Sequence, residues 1–179
     1  MQEKIVVVSA QHSVTYQNAK EAQNVGLEFE FRKSMGFTSG WLEDLFVSGN
    51  AAWIRSRVRL ADNTGIQSSN NRPLEGQSPY VINGSLSYEP AEGSIGGAVL
   101  YNVAGKRITE VGALGAPDYE EMPIHRLDAA AYAKLGGGFK FGLKVRNILD
   151  WPSVTKVGSQ TVEKSRDGWS VGANLSWSH

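Results

Sequence analysis

The sequence predicts an all-β fold: an antiparallel up-and-down meander of about eight strands, forming part of a transmembrane β-barrel. Three observations lead there. Segments such as "GLEFEFRKS" (26 to 34) alternate apolar and polar residues without a slip, which is the period of a strand with two unlike faces. The connections between such segments are short and long by turns, as in membrane barrels with tight turns on one side and extended loops on the other. Aromatic residues gather near the strand ends, where amphipathic rings settle at the two interfaces of a bilayer.

Composition is consistent with this and removes several alternatives. The chain has 179 residues and a formal net charge of zero, so no bulk basic signal points to nucleic acid. It has no cysteine, which excludes disulfides, thiolate metal sites and cysteine nucleophiles. Twenty glycines, five tryptophans and six tyrosines favour strands over long helices. No apolar run reaches the ~18 residues of a membrane helix. Met1 is followed by "QEKIVVVSAQ", which lacks the basic and long apolar regions of a signal peptide; an exported chain starting this way is expected to lack its beginning.

The strands are expected near 3–10, 15–33, 44–60, 79–89, 94–104, 123–135, 138–149 and 167–178. "LDAAAYAKL" (127 to 135) has helical propensity in isolation. Its flanks, Pro123 and the "GGG" at 136 to 138 followed by alternating "FKFGLKVRN", make it the first arm of a hairpin. Short connections are "SMGFTSGWLED", "PAEG" and "GGG"; long ones are 61 to 78, 105 to 122 and 150 to 166. Trp41, Tyr88, Phe139 and Trp177 fall near the short-turn ends, and Tyr80, Tyr101 and Trp169 near the long-loop ends.

A two-faced strand does not say which face is inside. In a soluble β-sandwich, the competing architecture, Leu27, Phe29 and Phe31 would be core. The loop sorting points them toward lipid and turns Glu28, Glu30 and Arg32 toward a wet lumen. The same parity gives membrane-facing Tyr80, Ile82 and Leu86, then Phe141 and Leu143, then Val171, Leu175 and Trp177. Val47, Ala51 and Trp53 are expected outward, with Ser48 and Asn50 inward. Lumen-facing or ligand candidates are Glu28, Glu30, Arg32, Arg55, Arg57, Asn83, Lys140, Lys144 and Arg146.

Five stretches, in order, carry a family resemblance. They are "NAKEAQNVGLEFEFRKS" (18 to 34), "RPLEGQSPYVINGSLSYE" (72 to 89), "LYNVAGKRITEVG" (100 to 112), "HRLDAAAYAKLG…FGLKVRNILD" (125 to 150) and the terminal "GWSVGANLSWSH". Together they cover nearly the whole chain, which resembles the C-terminal end of TonB-dependent outer-membrane receptors. The resemblance implies a share of a 22-stranded barrel in a bacterial outer membrane, importing a large nutrient such as an iron chelate. It implies as partners the outer-membrane lipid and lipopolysaccharide, the TonB complex and the barrel-assembly machinery. No plug, TonB box or signal peptide is recognisable here. The expectation is therefore a receptor segment that needs the missing plug and remaining strands, and is not competent for transport alone. One departure is His179 where the family commonly ends in Phe, which is expected to weaken the assembly signal. The alternative is a stand-alone eight-stranded barrel with a structural or adhesive role, its first strand pairing its last.

Candidate chemistry is thin. Glu28 and Glu30 form an i, i+2 carboxylate pair, a spacing that a glycosidase could use, but lumen charges balanced by a basic neighbour such as Arg32 are the plainer reading. "DYEEM" with His125 offers oxygen and imidazole ligands in no metal-motif spacing. Arg55, Arg57 and Arg59 form a one-sided basic row that could meet lipopolysaccharide phosphates or an anionic ligand near the rim; solvated rim charges are the plainer reading. "LGGGF" is a turn, lacking the Lys-Ser/Thr of a phosphate loop. The sequence predicts no enzyme, no cofactor, no metal and no nucleic-acid partner.

Overall fold

The computed structural model describes residues 2–7, 13–36, 40–60 and 68–178. It is all-β, with strands β1 (Gln2–Val7), β2 (Ser13–Asn18), β3 (Glu21–Ser34), β4 (Leu45–Arg59), β5 (Asn71–Arg72), β6 (Tyr80–Tyr88) and β7 (Ile95–Ala104). β8 (Arg107–Glu110), β9 (Tyr119–Glu121), β10 (Ile124–Gly136), β11 (Phe139–Arg146), β12 (Ser153–Val157), β13 (Gln160–Ser165) and β14 (Ser170–Trp177) follow. A 3-10 turn at Gly40–Asp44 precedes β4.

The main sheet is an antiparallel meander in the order β14-β11-β10-β7-β6-β4-β3, with β5 added on β4. No sheet closes on itself among the described residues; β3 and β14 form the two edges. Register runs unbroken from Glu21↔Arg59 to Ser34↔Phe46 between β3 and β4. It continues through Ala51↔Ile82, Leu86↔Val99 and Val99↔Ala129 to Ala129↔Val145 and Val145↔Val171. One shift, between Lys134 and Gly136, lets β10 bulge into its turn.

"LDAAAYAKL" lies wholly within β10. Pairing on both flanks, with β7 and β11, overrides the local helical preference of the alanines.

Two expectations need correction. The stretch expected as one strand over 15–33 is β2 and β3, parted at Ala19 and Lys20, and β1 pairs only with β2 (Gln2↔Asn18 to Val7↔Ser13). Seven long strands therefore cross the main sheet, not eight, and β1 does not meet β14. The cause is proximity in sequence: closing a short hairpin costs little chain entropy compared with pairing across the sheet. The long connections are also not plain loops. β8 and β9 from the 105–123 connection join β12 and β13 from the 147–169 connection in a four-stranded sheet, order β13-β12-β9-β8. "SVTKVGSQTVEKS" carries the signal, two alternating arms about a two-residue turn opened by Gly158 at φ 59°.

The short connections lie at one end of the meander and the long ones at the other, as antiparallel pairing requires. The expected strand end at 8–10, His12, the turn residues 37–39, the loop stretch 61–67 and His179 lie outside the described residues, as does the side chain of Trp41.

Candidate functional site

The two faces of the main sheet follow from the register. On one face the rows read Leu27–Trp53–Tyr80, Phe29–Ala51–Ile82–Val103 and Val47–Leu86–Val99–Ala129–Val145–Val171. Beyond them lie Phe141–Leu175 and Phe139–Trp177. Every membrane-facing candidate named from the sequence is on this face. It is open: Leu27 is 75% exposed, Phe29 66% and Leu175 64%. The buried hydrophobic cluster is small by contrast, Val58, Leu60 and Leu74 with Ala19 against them, and it joins the end of β4 to the 68–79 return rather than covering the apolar face. Burying apolar area is what normally drives folding, so a face this wide and uncovered is the dominant physical fact about the molecule.

Its rims carry the expected aromatics. At the long-loop end Tyr101 Oη lies 2.6 Å from His125 Nδ1, His125 packs on Trp151 with ring centres 4.4 Å apart, and Trp151 Nε1 donates to the Pro123 carbonyl at 3.2 Å. At the short-turn end Phe139 and Trp177 pair at 6.4 Å, and Trp177 Nε1 donates to the Gly137 carbonyl at 3.1 Å. Both indoles thus satisfy their one polar atom on backbone and leave the ring outward. Glycine makes room within the face: a Cβ on Gly49 would stand 3.1 Å from the Phe31 ring, which overlies it.

The opposite face is polar and holds a trough of about 560 Å³ across β3, β4, β6, β7 and β10. One row reads Glu30, Asn50, Asn83, Asn102, Arg126 in direct register. Asn83 Nδ2 donates to Asn50 Oδ1 at 2.6 Å, and Asn102 Nδ2 donates to Asn83 Oδ1 at 2.6 Å. The next row holds Arg32, Ser48, Ser85, Leu100 and Asp128, with the Ser48 and Ser85 hydroxyls 2.6 Å apart. The trough presents neutral donors and acceptors between a carboxylate and a guanidinium, a surface suited to hydrogen bonding with water or polar solute.

Of the sequence candidates, Glu28, Glu30, Arg32, Asn83, Lys140, Lys144 and Arg146 share this face, but they do not converge. Arg32 pairs with Glu89 at 3.2 Å and stacks over Phe46 at 5.0 Å, so it does not balance Glu28 or Glu30. Those two carboxylates face Ala52 and Asn50 across the ladder, and their other flank is the sheet edge. Lys140 sits 4.0 Å above the Tyr132 ring, which lies beside Gly96, where a Cβ would strike it. Lys144 lies opposite Ala130 and Gly172, and Arg146 opposite Ser170.

Arg55 and Arg57 are a correction. The β3–β4 register sets Val25 opposite Arg55 and Gln23 opposite Arg57, on the face of Leu27 and Trp53. The other face of this strand segment is occupied: Val58 is fully buried, and Ser56 Oγ accepts from the Leu74 amide at 3.1 Å. The alternation in "AAWIRSRVRL" carries this parity; the charges had suggested the wet side.

Residues missed in the sequence are Asn102, Arg126, Asp128, Asn147 and Asp150. Asp128 Oδ1 accepts from the Asn147 amide at 2.9 Å. Asn147 Nδ2 donates to the Gly168 carbonyl at 2.7 Å, and the Gly168 amide donates to Asp150 Oδ1 at 3.0 Å. "NILD" therefore ties the point where the last long connection leaves the sheet to the point where it returns. Asn147 and Asp150 hold positive φ (56° and 43°), a conformation their short polar side chains tolerate.

"DYEEM" makes no shared site. Asp118 Oδ1 accepts from the Gly112 amide at 2.8 Å, Glu120 pairs with Lys106 at 2.7 Å, and Glu121 with Arg107 at 2.6 Å. His125 is on the apolar face, opposite Val103. Among the described residues no group of three or more His, Asp or Glu is placed to hold a metal ion. No family model, curated protein or solved structure matches the chain.

Proposed function

We propose that the chain is a barrel segment of a TonB-dependent outer-membrane receptor that takes up a large nutrient such as an iron chelate. In this reading the apolar face meets lipid and the polar trough faces the barrel lumen. The observation that carries the membrane part is the inversion across the meander: a broad, mostly apolar face lies largely open while the opposite face gathers asparagine, serine and charge. A closed membrane barrel has this arrangement. Long connections at one end and aromatic rims at both add to it.

The segment is not competent for transport alone. The edges of β3 and β14 would leave bare backbone groups in hydrocarbon at several kcal/mol each, so further strands must cover them. Glu28 and Glu30, beside the open edge of β3, are placed to receive basic partners from such a strand. The receptor part rests on the five sequence stretches named above. The stand-alone eight-strand barrel lacks support, because β1 takes β2 as its partner.

The natural absence of cysteine makes the membrane part testable. Single cysteines at Ile82, Leu86 and Leu175, and at Asn83, Ser85 and Asn174, are placed in the chain joined to the strands that cover its edges, and are labelled with a polarity-sensitive dye after folding into vesicles. Blue-shifted emission is expected for the first set and aqueous emission for the second; no alternation would overturn the lipid assignment. Reading the coding frame upstream of Met1 tests the receptor part. Further strands and a plug domain in frame are expected, whereas an independent frame with its own export signal refutes it.

A further inference from the structure

We infer that the polar wall formed by β10 and β11 is a basic track that guides a net-anionic nutrient through the barrel. The inference rests on the proposed lumen reading of the polar face and narrows it to a substrate class, a solute bearing several carboxylate, phosphate or sulfate charges. Three observations carry it. First, Lys134, Lys140, Lys144 and Arg146 share the polar face and are all exposed; from Lys140 to Arg146 the track runs about 20 Å along the wall at the rise of a strand. Second, the charge is unspent: no ion pair engages any of the four among the described residues. Asp128, the carboxylate of this sector, accepts instead from the Asn147 amide, and Arg126 pairs with Asp167 at 3.8 Å. Third, the placement works against the sheet itself. Lys134 stands directly opposite Lys140, a like-charge pairing that weakens strand association, and Lys140 leans over the Tyr132 ring at 4.0 Å.

The neighbours leave the track open. β14 sets Ser170, Gly172 and Ser176 opposite Arg146, Lys144 and Lys140, and Asn174 lies over Gly142, where a side chain would collide with it. Neutral hydrogen-bonding groups thus fill the steps between the charges and supply no counter-charge. Glu28 and Glu30 are on β3, five strands from β11, which is about 24 Å at the spacing of paired strands and beyond the screening length of physiological salt. One sign of charge on a wall backed by lipid focuses the field and concentrates the opposite ion, as lysine and arginine rings do in anion pores. A wall that needed charge for solvation alone would mix both signs, as β3 does with Glu28, Glu30 and Arg32.

The test uses the complete receptor in vesicles, with the covering strands and the plug in place. Single reporters are Ser170→Cys and Ser176→Cys beside the track and Ser85→Cys in the trough. Each is reacted with an anionic and a cationic methanethiosulfonate of similar size. The ratio of anionic to cationic rate is expected to be higher at the first two reporters than at the third. Lys140→Gln/Lys144→Gln/Arg146→Gln should lower it about ten-fold at low ionic strength, as for three charges within roughly 8 Å in a wet lumen. Lys140→Arg/Lys144→Arg/Arg146→Lys should keep it. Lys156→Gln/Lys164→Gln, on β12 and β13, should leave it unchanged. Millimolar citrate should slow the anionic reagent several-fold at both track reporters, and chloride of equal ionic strength should not. A ratio indifferent to the triple glutamine substitution, or citrate acting no better than chloride, overturns the inference. So does a reporter shielded from both reagents, because plug carboxylates would then already cover the track. These results leave the membrane reading standing, since the dye alternation at Leu86 and Ser85 is measured separately; loss of that alternation overturns both.

Discussion

The main sheet and the small sheet at its long-loop end are built from the same material and dispose of it in opposite ways. In the four strands β8, β9, β12 and β13, Ile108 is buried, and ion pairs join exposed Lys106, just before β8, and Arg107 to half-buried Glu120 and Glu121. That is the economy of a sheet in water. In the seven long strands the large side chains stand outward, and the polar ones face each other across the ladder. The backbone hydrogen bonding is alike in both regions; the expected solvent differs. On the membrane reading proposed above, a single chain carries two hydrophobicity conventions, with the boundary near Arg55 on β4 and Tyr101 on β7.

The sharpest way to break that comparison is a charge in the span. With the covering strands present, Phe29→Arg should destabilise the vesicle-folded state by about 2–4 kcal/mol, as for a lipid-facing site near the midplane, while Glu30→Arg should be mild. Urea titration read by heat-modifiable gel mobility checks the pair, and equal tolerance at both sites would sink the face assignment. A loss of similar size is expected in the buried cluster beside the 68–79 return. Leu60→Ala, where Leu60 is 1% exposed, should cost about 2–4 kcal/mol. This loss should appear as early proteolysis of the 68–79 return, with the sheet itself kept.

Smaller effects probe the trough and the loop sheet. Asn83→Leu removes the centre of the asparagine row and should cost about 1–2 kcal/mol from two lost hydrogen bonds. Asn24→Leu, on the same face of β3 outside that row, should cost less. Glu120→Gln/Glu121→Gln should cost about 1 kcal/mol, and the cost should shrink in high salt, because the partner cations Lys106 and Arg107 are open to solvent. Amide exchange in β8 and β9 measured at two ionic strengths would detect it. A salt-independent loss would mean that these carboxylates hold the sheet by packing.

The strands, their faces and the loop sorting were legible because a period of two survives any tertiary context that keeps one face unlike the other. Strand order followed, since a meander joins neighbours. The division of 15–34 into two strands was not legible. "VTYQNAKEAQNV" alternates through Ala19 and Lys20 without a signal for the break, which depends on where β1 finds its partner. The site was legible face by face but not contact by contact. Glu28 and Arg32 share a strand face, yet Arg32 reaches Glu89 from another connection. No spacing rule along a strand encodes that. Arg55 and Arg57 were misplaced for an instructive reason: charge type was allowed to outvote parity, and the register obeys parity.

The asparagine row has a consequence for how the sheet finds its alignment. Alternation forbids a slip of one residue, because it would turn every side chain over. It is indifferent to a slip of two, which restores both faces. Such a slip of β6 along β4 would take Asn83 from Asn50 to Ser48 or Ala52, and would break the relay to Asn102 on β7 as well. Asn50, Asn83 and Asn102 thus act as a vernier, marking the one alignment among the even offsets at which three strands coincide.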